Sequence, residues 1–280
     1  MYLRSRSEST AKLLERLPQN STAVFYIDFD GLRKAGLMEI FGGSEMVREP
    51  EYRAFVQQTG FDYATDLDSA ILAFHPTGKY MLLRGRFNWP LLKHYTEVQG
   101  GTCRHAFCRT EGSTPDRQIS YFPIDGQTMG LAVSSDAWAA TQLWDHRKHT
   151  LHVPEEPVWA VLSSAAWKDG TALPSGARAF ALALENVDRV LFTAGRAPDG
   201  VELTMNVNCQ SPGQAARVTL RLRETTSTLL NLIRDEGQKP NPADLSGILT
   251  AGAFEQRDTE VVGRWPIPRS FLASLAGGGR

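Results

Sequence analysis

Five aspartates in the first quarter of the chain are the first candidates for chemistry. Asp28 and Asp30 close the β-prone run AVFYIDF at 23–29, and Asp62, Asp66 and Asp68 cluster in FDYATDLD. Paired carboxylates at strand ends hold divalent cations or exchange protons with a substrate. Simpler uses compete. Asp30 stands where a helix over GLRKAGLMEIF needs its N-cap. The other three suit a turn before a strand. The EF-hand pattern, with its glutamate at the twelfth position, is absent. A basic counterpart lies in KYMLLRGRF at 79–87. There Arg84 and Arg86 alternate onto the face of Tyr80, an arrangement that receives an anion or an acidic partner. Asp28, Asp30, Tyr80, Arg84 and Arg86 are therefore the candidate ligand-binding residues, and none is assigned a catalytic role.

Thiols and imidazoles come next. TCRHAFCR holds Cys103, His105 and Cys108. A Cys–His nucleophile or a zinc set needs these groups on one side. Read as one strand, 103 and 105 share a face while 108 points the other way. The same parity argues against a Cys103–Cys108 disulfide unless a bulge intervenes. Cys209, at a strand end, reads as a small core residue. With 3 cysteines, at least one thiol stays unpaired within the monomer. His146, His149 and His152 fall in the polar connector HRKHTLHVPEEP at 146–157. On a helix they would step by about 60°, so the first and last would diverge by about 120°. A solvated linker is the expectation, and no metal or other cofactor is expected. Arg217 and Arg221, with Glu224 in reach, read as a solvated helix face. Trp89 and Trp265 each precede a proline-initiated helix, which points to structural use.

Several classes drop out on composition. The chain has 280 residues, 30 Lys+Arg against 31 Asp+Glu, and 42% hydrophobic residues. That is an ordinary globular balance, with enough apolar material for a core and no basic excess for gripping nucleic acid. There is no G-x-x-x-x-G-K-[ST], no G-x-G-x-x-G and no G-x-S-x-G. No stretch approaches the roughly 18 apolar residues that span a bilayer. Arg4 and Arg6 are not followed by an apolar region, so the N-terminus does not read as a signal peptide. The compartment is periplasmic or envelope-associated if a leader precedes this chain, and cytoplasmic otherwise.

The elements that must position these residues follow a repeated order. STAKLLERL (9–17) reads as a short helix, 23–29 as a strand, and PEYRAFVQQTG (50–60) as a helix. Strands at 68–74 and 79–87 meet at the turn HPTG, and a helix occupies 88–101. Strand-like pieces follow at 102–108, 118–124 and 128–134, then a helix at 134–146. After the connector come strands at 158–164, 178–185, 188–196 and 200–208. The longest helix starts at Ser211-Pro212, with Ala215, Val218, Leu222, Thr225, Leu229 and Leu232 as its apolar stripe. Strands near 247–256 and 258–264 and a last helix after 266–268 end the chain. Asp68 aligns with Asp188, and the turn at Thr77-Gly78 with Asp199-Gly200. The order is roughly β-α-β-β-α-β-β-α, twice. This predicts an α+β fold made by tandem duplication of a ferredoxin-like βαββαβ-type module, antiparallel sheets with helices on one face. The modules are placed at 1–150 and 151–280. Sheet faces left bare would pack on one another or be covered in a homodimer.

The phrases LPQNSTAVFYIDFDGL, TGFDYATDLDSAILAF, YMLLRGRFNW, ELTMNVNCQSPGQAARV and TEVVGRWPIPRSFL resemble a group of uncharacterised bacterial proteins. The resemblance spans about 17–275. It implies an envelope-associated protein built of tandem α+β modules, and it carries over no functional residues. The expectation is thus a non-catalytic binding or scaffold protein of the bacterial envelope, with an unknown protein or small-molecule partner, no nucleic acid and no transmembrane segment. The alternative is an enzyme of unrecognised class, or a small-molecule or metal binder using the groove between the modules.

Overall fold

The computed structural model of the chain describes residues 8–38, 49–114, 116–147, 153–168 and 175–276. Two compact units divide after Glu155. No helix among the described residues is long and apolar enough to cross a membrane.

The first unit begins with α1 (Thr10–Leu14), β1 (Ala23–Asp28), α2 (Phe29–Lys34), α3 (Pro50–Thr59) and α4 (Tyr63–Asp66). It continues through β2 (Leu67–His75), β3 (Gly78–Gly85), α5 (Trp89–Val98), β4 (Thr102–Arg104), β5 (Phe107–Glu111), β6 (Gln118–Pro123) and β7 (Thr128–Ser134). The expected helix at 134–146 is only a 3-10 turn, Ala139–Leu143. Local chemistry sets most boundaries. β2 buries every second residue from Leu67 to Ala73, as a half-buried strand must. Gly60 closes α3 with φ +67°, and the Asn88 side chain accepts the Leu91 N–H to start α5.

All pairings in this unit are antiparallel, in the order β1-β2-β3-β7-β6-β5-β4. Helical elements cover both faces, not one. Neighbouring β6 residues point to opposite sides. The Ser120 hydroxyl accepts the Ala140 N–H from the 3-10 turn, while the Tyr121 hydroxyl donates to the Leu92 carbonyl of α5.

The second unit contains β8 (Val158–Ser163), α6 (Ala165–Lys168), α7 (Ser175–Ala183), β9 (Arg189–Ala197) and β10 (Gly200–Asn208). Then follow α8 (Pro212–Asp235), α9 (Leu245–Thr250), β11 (Ala253–Arg257), β12 (Glu260–Pro268) and α10 (Arg269–Ala276). The expected strand at 178–185 is helical. Phe180, Ala183, Leu184 and Val187 are all buried, at helical rather than alternating spacing. The start of the expected strand at 247–256 is likewise α9, capped by the Asp244 side chain. α8 starts at its Ser211 cap and buries Ala215, Val218 and Leu222. The stripe then leaves the core, so that Leu232 is 55% exposed. Here the helices share one face: Phe180, Leu184, Val218, Leu222 and Ile248 pack with Val190, Met205, Val207 and Trp265 of the strands.

The strands of this unit pair as β8-β9-β10-β12-β11, again all antiparallel. In a split β-α-β unit, strands joined through a helix are parallel and separated by a third strand. Here β1 and β2 are direct antiparallel neighbours, Asp28 opposite Ser69, and so are β8 and β9, Ser163 opposite Arg189. Each unit begins as a three-strand meander whose third strand pairs with the unit's last strand, so the remaining strands, β7-β6-β5-β4 in the first unit and β12-β11 in the second, are laid down in reverse. Gly78 and Gly200 open the third meander strand of each unit with φ +154° and +153°. A β-carbon at Gly78 would strike the Val133 carbonyl of β7, and one at Gly200 the Ile267 carbonyl of β12.

Candidate functional site

Of the five residues singled out for ligand binding, the sheet brings Asp28 and Arg84 into one cross-strand row, and most of the five are engaged by near neighbours. Asp28, not Asp30, caps α2, accepting the Gly31 N–H at 2.8 Å. Asp30 lies inside the helix and pairs with Lys34 at 2.6 Å, which holds its carboxyl below and the Lys34 ammonium above their usual ranges. Tyr80 is fully buried, with its hydroxyl 2.9 Å from Thr77 Oγ1. Arg84 donates to the Glu8 carbonyl, and Arg86 is held by Asp66 at 3.0 Å and by the Thr65 carbonyl. Arg86 thus has an acidic partner, whereas the buried Nε of Arg84 has no hydrogen-bond partner among the described residues. The sheet does gather Asp28, Ser69 and Arg84 in one cross-strand row. Tyr26 lies beside them, its hydroxyl pushed up by burial and then by the Asp28 charge.

The other acidic candidates are also occupied. Asp62 caps α4 and accepts the Tyr52 hydroxyl at 2.8 Å, while Asp66 accepts the Asp62 N–H. Burial, then the Asp62 hydrogen bond, pushes the Tyr52 phenol up. Asp68 pairs with Arg33 at 3.4 Å. No group of three or more potential metal ligands occurs among the described residues. On the long helix, Arg221 pairs with Glu185 at 2.7 Å.

Cys103 and Cys108 are joined in a disulfide. The parity argument failed because 102–108 is not one strand. β4 and β5 form a hairpin around His105-Ala106, so Cys103 sits directly opposite Cys108 on the same face. His105 turns the chain with φ +56° and lies at the tip, away from any nucleophile role. Cys209 is a free, half-buried thiol, pushed up by burial. His146 stands 3.6 Å from both Glu8 and Glu15. His149 and His152 lie outside the described residues.

The geometry that stands out is an apolar cavity of about 240 Å³ inside the second unit. Its floor is the sheet, through Val190, Phe192, Leu203, Met205 and Trp265, and its roof is helical, through Trp167, Phe180, Leu222 and Ile248. No charged side chain lines it among the described residues. Leu162, Phe192, Leu203 and Leu249 stay partly exposed, so the cavity opens on their side. Trp265 was expected just before a helix; it is instead an inward residue of β12, opposite Leu203. Glycines seat its ring. A β-carbon at Gly263 would lie 3.0 Å from the six-membered ring, and one at Gly252 2.6 Å from Nε1. The sequence carried the signal for the roof in the three-and-four spacing of Phe180, Ala183, Leu184 and Val187. Reading RAFALALE as a strand hid it.

No family model and no curated protein matches the sequence. Solved structures do match. Crystal form III of TP0453 superposes with a TM-score of 0.56 at 9% identity, covering 94% of this chain and 97% of that one. Crystal form I gives a TM-score of 0.52 at 10% identity, covering 96% and 98%. The chain is similar in fold to TP0453. At such identities the likeness with TP0453 concerns the course of the backbone alone.

Proposed function

We propose that this is a non-catalytic binding protein whose second unit takes up one small, uncharged, apolar molecule. The cavity carries this reading. Native cores hold few voids larger than a water molecule. This one opens on one side and leaves its apolar lining facing water, which disfavours the empty state. Water gains little there, because the walls offer it almost no polar partners. An apolar guest removes both penalties. An engineered apolar cavity of about 150 Å³ binds benzene, so about 240 Å³ suits a slightly larger molecule.

The two units are read as copies of one duplicated module, supported by the three-strand meander that opens each, by the pairing of its third strand with the unit's last strand, and by the paired roles of Gly78 and Gly200. We also place the protein in an oxidising compartment of a bacterial envelope. The Cys103–Cys108 disulfide supports that placement, since such bonds persist where thiols are not kept reduced.

The test is thermal unfolding with naphthalene as probe. The midpoint should rise with naphthalene concentration, as ligand bound only to the native state requires. Leu203→Trp, which fills the open side, should abolish the rise. An unchanged midpoint at the solubility limit of naphthalene would overturn the reading.

A further inference from the structure

We infer that the cavity selects flat aromatic molecules of no more than two rings, and that Gly252 and Gly263 set this limit by seating the Trp265 indole. The inference rests on the proposed apolar binding function and goes further by naming ligand shape and the residues that fix it.

Aromatic side chains stand on both sides of the space, Phe192 and Trp265 on the floor, Trp167 and Phe180 on the roof. A flat ring between them meets faces and edges, which rings favour over saturated partners of equal area. The rings already present use such geometry: Phe180 meets Trp265 at 75° with centroids 6.3 Å apart, and Phe254 meets it at 82° and 5.2 Å.

The position of Trp265 decides how much space remains. Its six-membered ring lies over Gly263, its residue of the same β12 face two positions earlier, and its Nε1 edge lies against Gly252. A methyl group at 263 would stand 3.0 Å from Cη2 and Cζ3 of the indole and 3.1 Å from Cε of Met205. Contacts this close must be relieved by displacing atoms. The two side chains it would displace, Trp265 and Met205, are both cavity walls. Neither glycine here has a positive φ, so alanine is compatible with the backbone and the effect falls on the walls.

The test compares benzene, naphthalene, decalin (the saturated counterpart of naphthalene) and anthracene by equilibrium dialysis against the full chain. The parent should bind naphthalene at least tenfold tighter than decalin and exclude anthracene. Gly263→Ala should lose at least tenfold in naphthalene affinity while benzene changes less than twofold. Should Gly263→Ala not fold, Trp265→Phe serves instead and should admit anthracene. Equal binding of naphthalene and decalin overturns the aromatic selection. Undiminished naphthalene binding by folded Gly263→Ala, or exclusion of anthracene by Trp265→Phe, overturns the seating role. Failure of the parent to bind any of the four overturns the apolar binding function itself, which is a different result from either.

Discussion

Asp28 and Asp30 are two residues apart and do unrelated work. Asp28 satisfies a backbone N–H that the first turn of α2 leaves without a helical partner, whereas Asp30 meets Lys34 in open solvent. Asp28→Ala should therefore lower stability by about 1 kcal/mol. Asp30→Ala should leave the urea midpoint where it was. Equal losses from the two would contradict the assignment. Glu8 offers a pH test. Its carboxyl is held below the usual range, first by hydrogen bonds from Arg16, at 2.8 and 2.9 Å. A group with a depressed folded pKa binds fewer protons folded than unfolded in mild acid. Its stabilisation is complete above the ordinary carboxylate range and drains away as pH falls through the folded value. Glu8→Gln should be less stable than the parent at neutral pH by about 1 kcal/mol, allowing for partial exposure. Urea unfolding across a pH series should show the gap closing with acid; a pH-independent gap would refute it.

Elements with explicit punctuation were legible in the sequence. The meander strands of both units and the caps at Asn88 and Ser211 fall where Gly, Pro, Asn and Ser mark them. Two kinds of element were not. The β4–β5 hairpin turns through His105-Ala106, which carries no turn residue, because His105 itself adopts the left-handed conformation. α7 is short, and its run of apolar residues imitates a strand until the burial of Phe180, Ala183 and Leu184 is seen. The first error hid the disulfide and the second hid the cavity. Residue type alone gave no sign of which binding candidates their neighbours engage: Arg86 is held by Asp66, whereas the buried Nε of Arg84 has no partner among the described residues. For the hairpin, Cys103→Ser with Cys108→Ser should cost about 2 kcal/mol, the chain-entropy figure for so short a loop. Unfolding curves of the double variant and of the reduced parent should coincide; a reduced parent as stable as the oxidised one would contradict this.

At the scale of the whole molecule, chemistry is partitioned between the units. The first carries the disulfide, and the second carries the apolar cavity and the free thiol. Protein recovered from its native compartment and denatured without reductant should titrate one thiol per chain, Cys209. Three would show that the chain folds where thiols stay reduced and would remove the envelope placement. One margin of each unit's sheet is guarded, in different ways. β11 presents the exposed charges Glu255 and Arg257, whereas β4 is only three residues long and is stapled to β5. Open strand edges template pairing with other chains. The staple thus bears on colloidal lifetime as well as on folding. Reduction frees an unpaired margin to recruit strands from neighbouring molecules, so loss of the bond should register first as concentration-dependent association and only afterwards as lost structure.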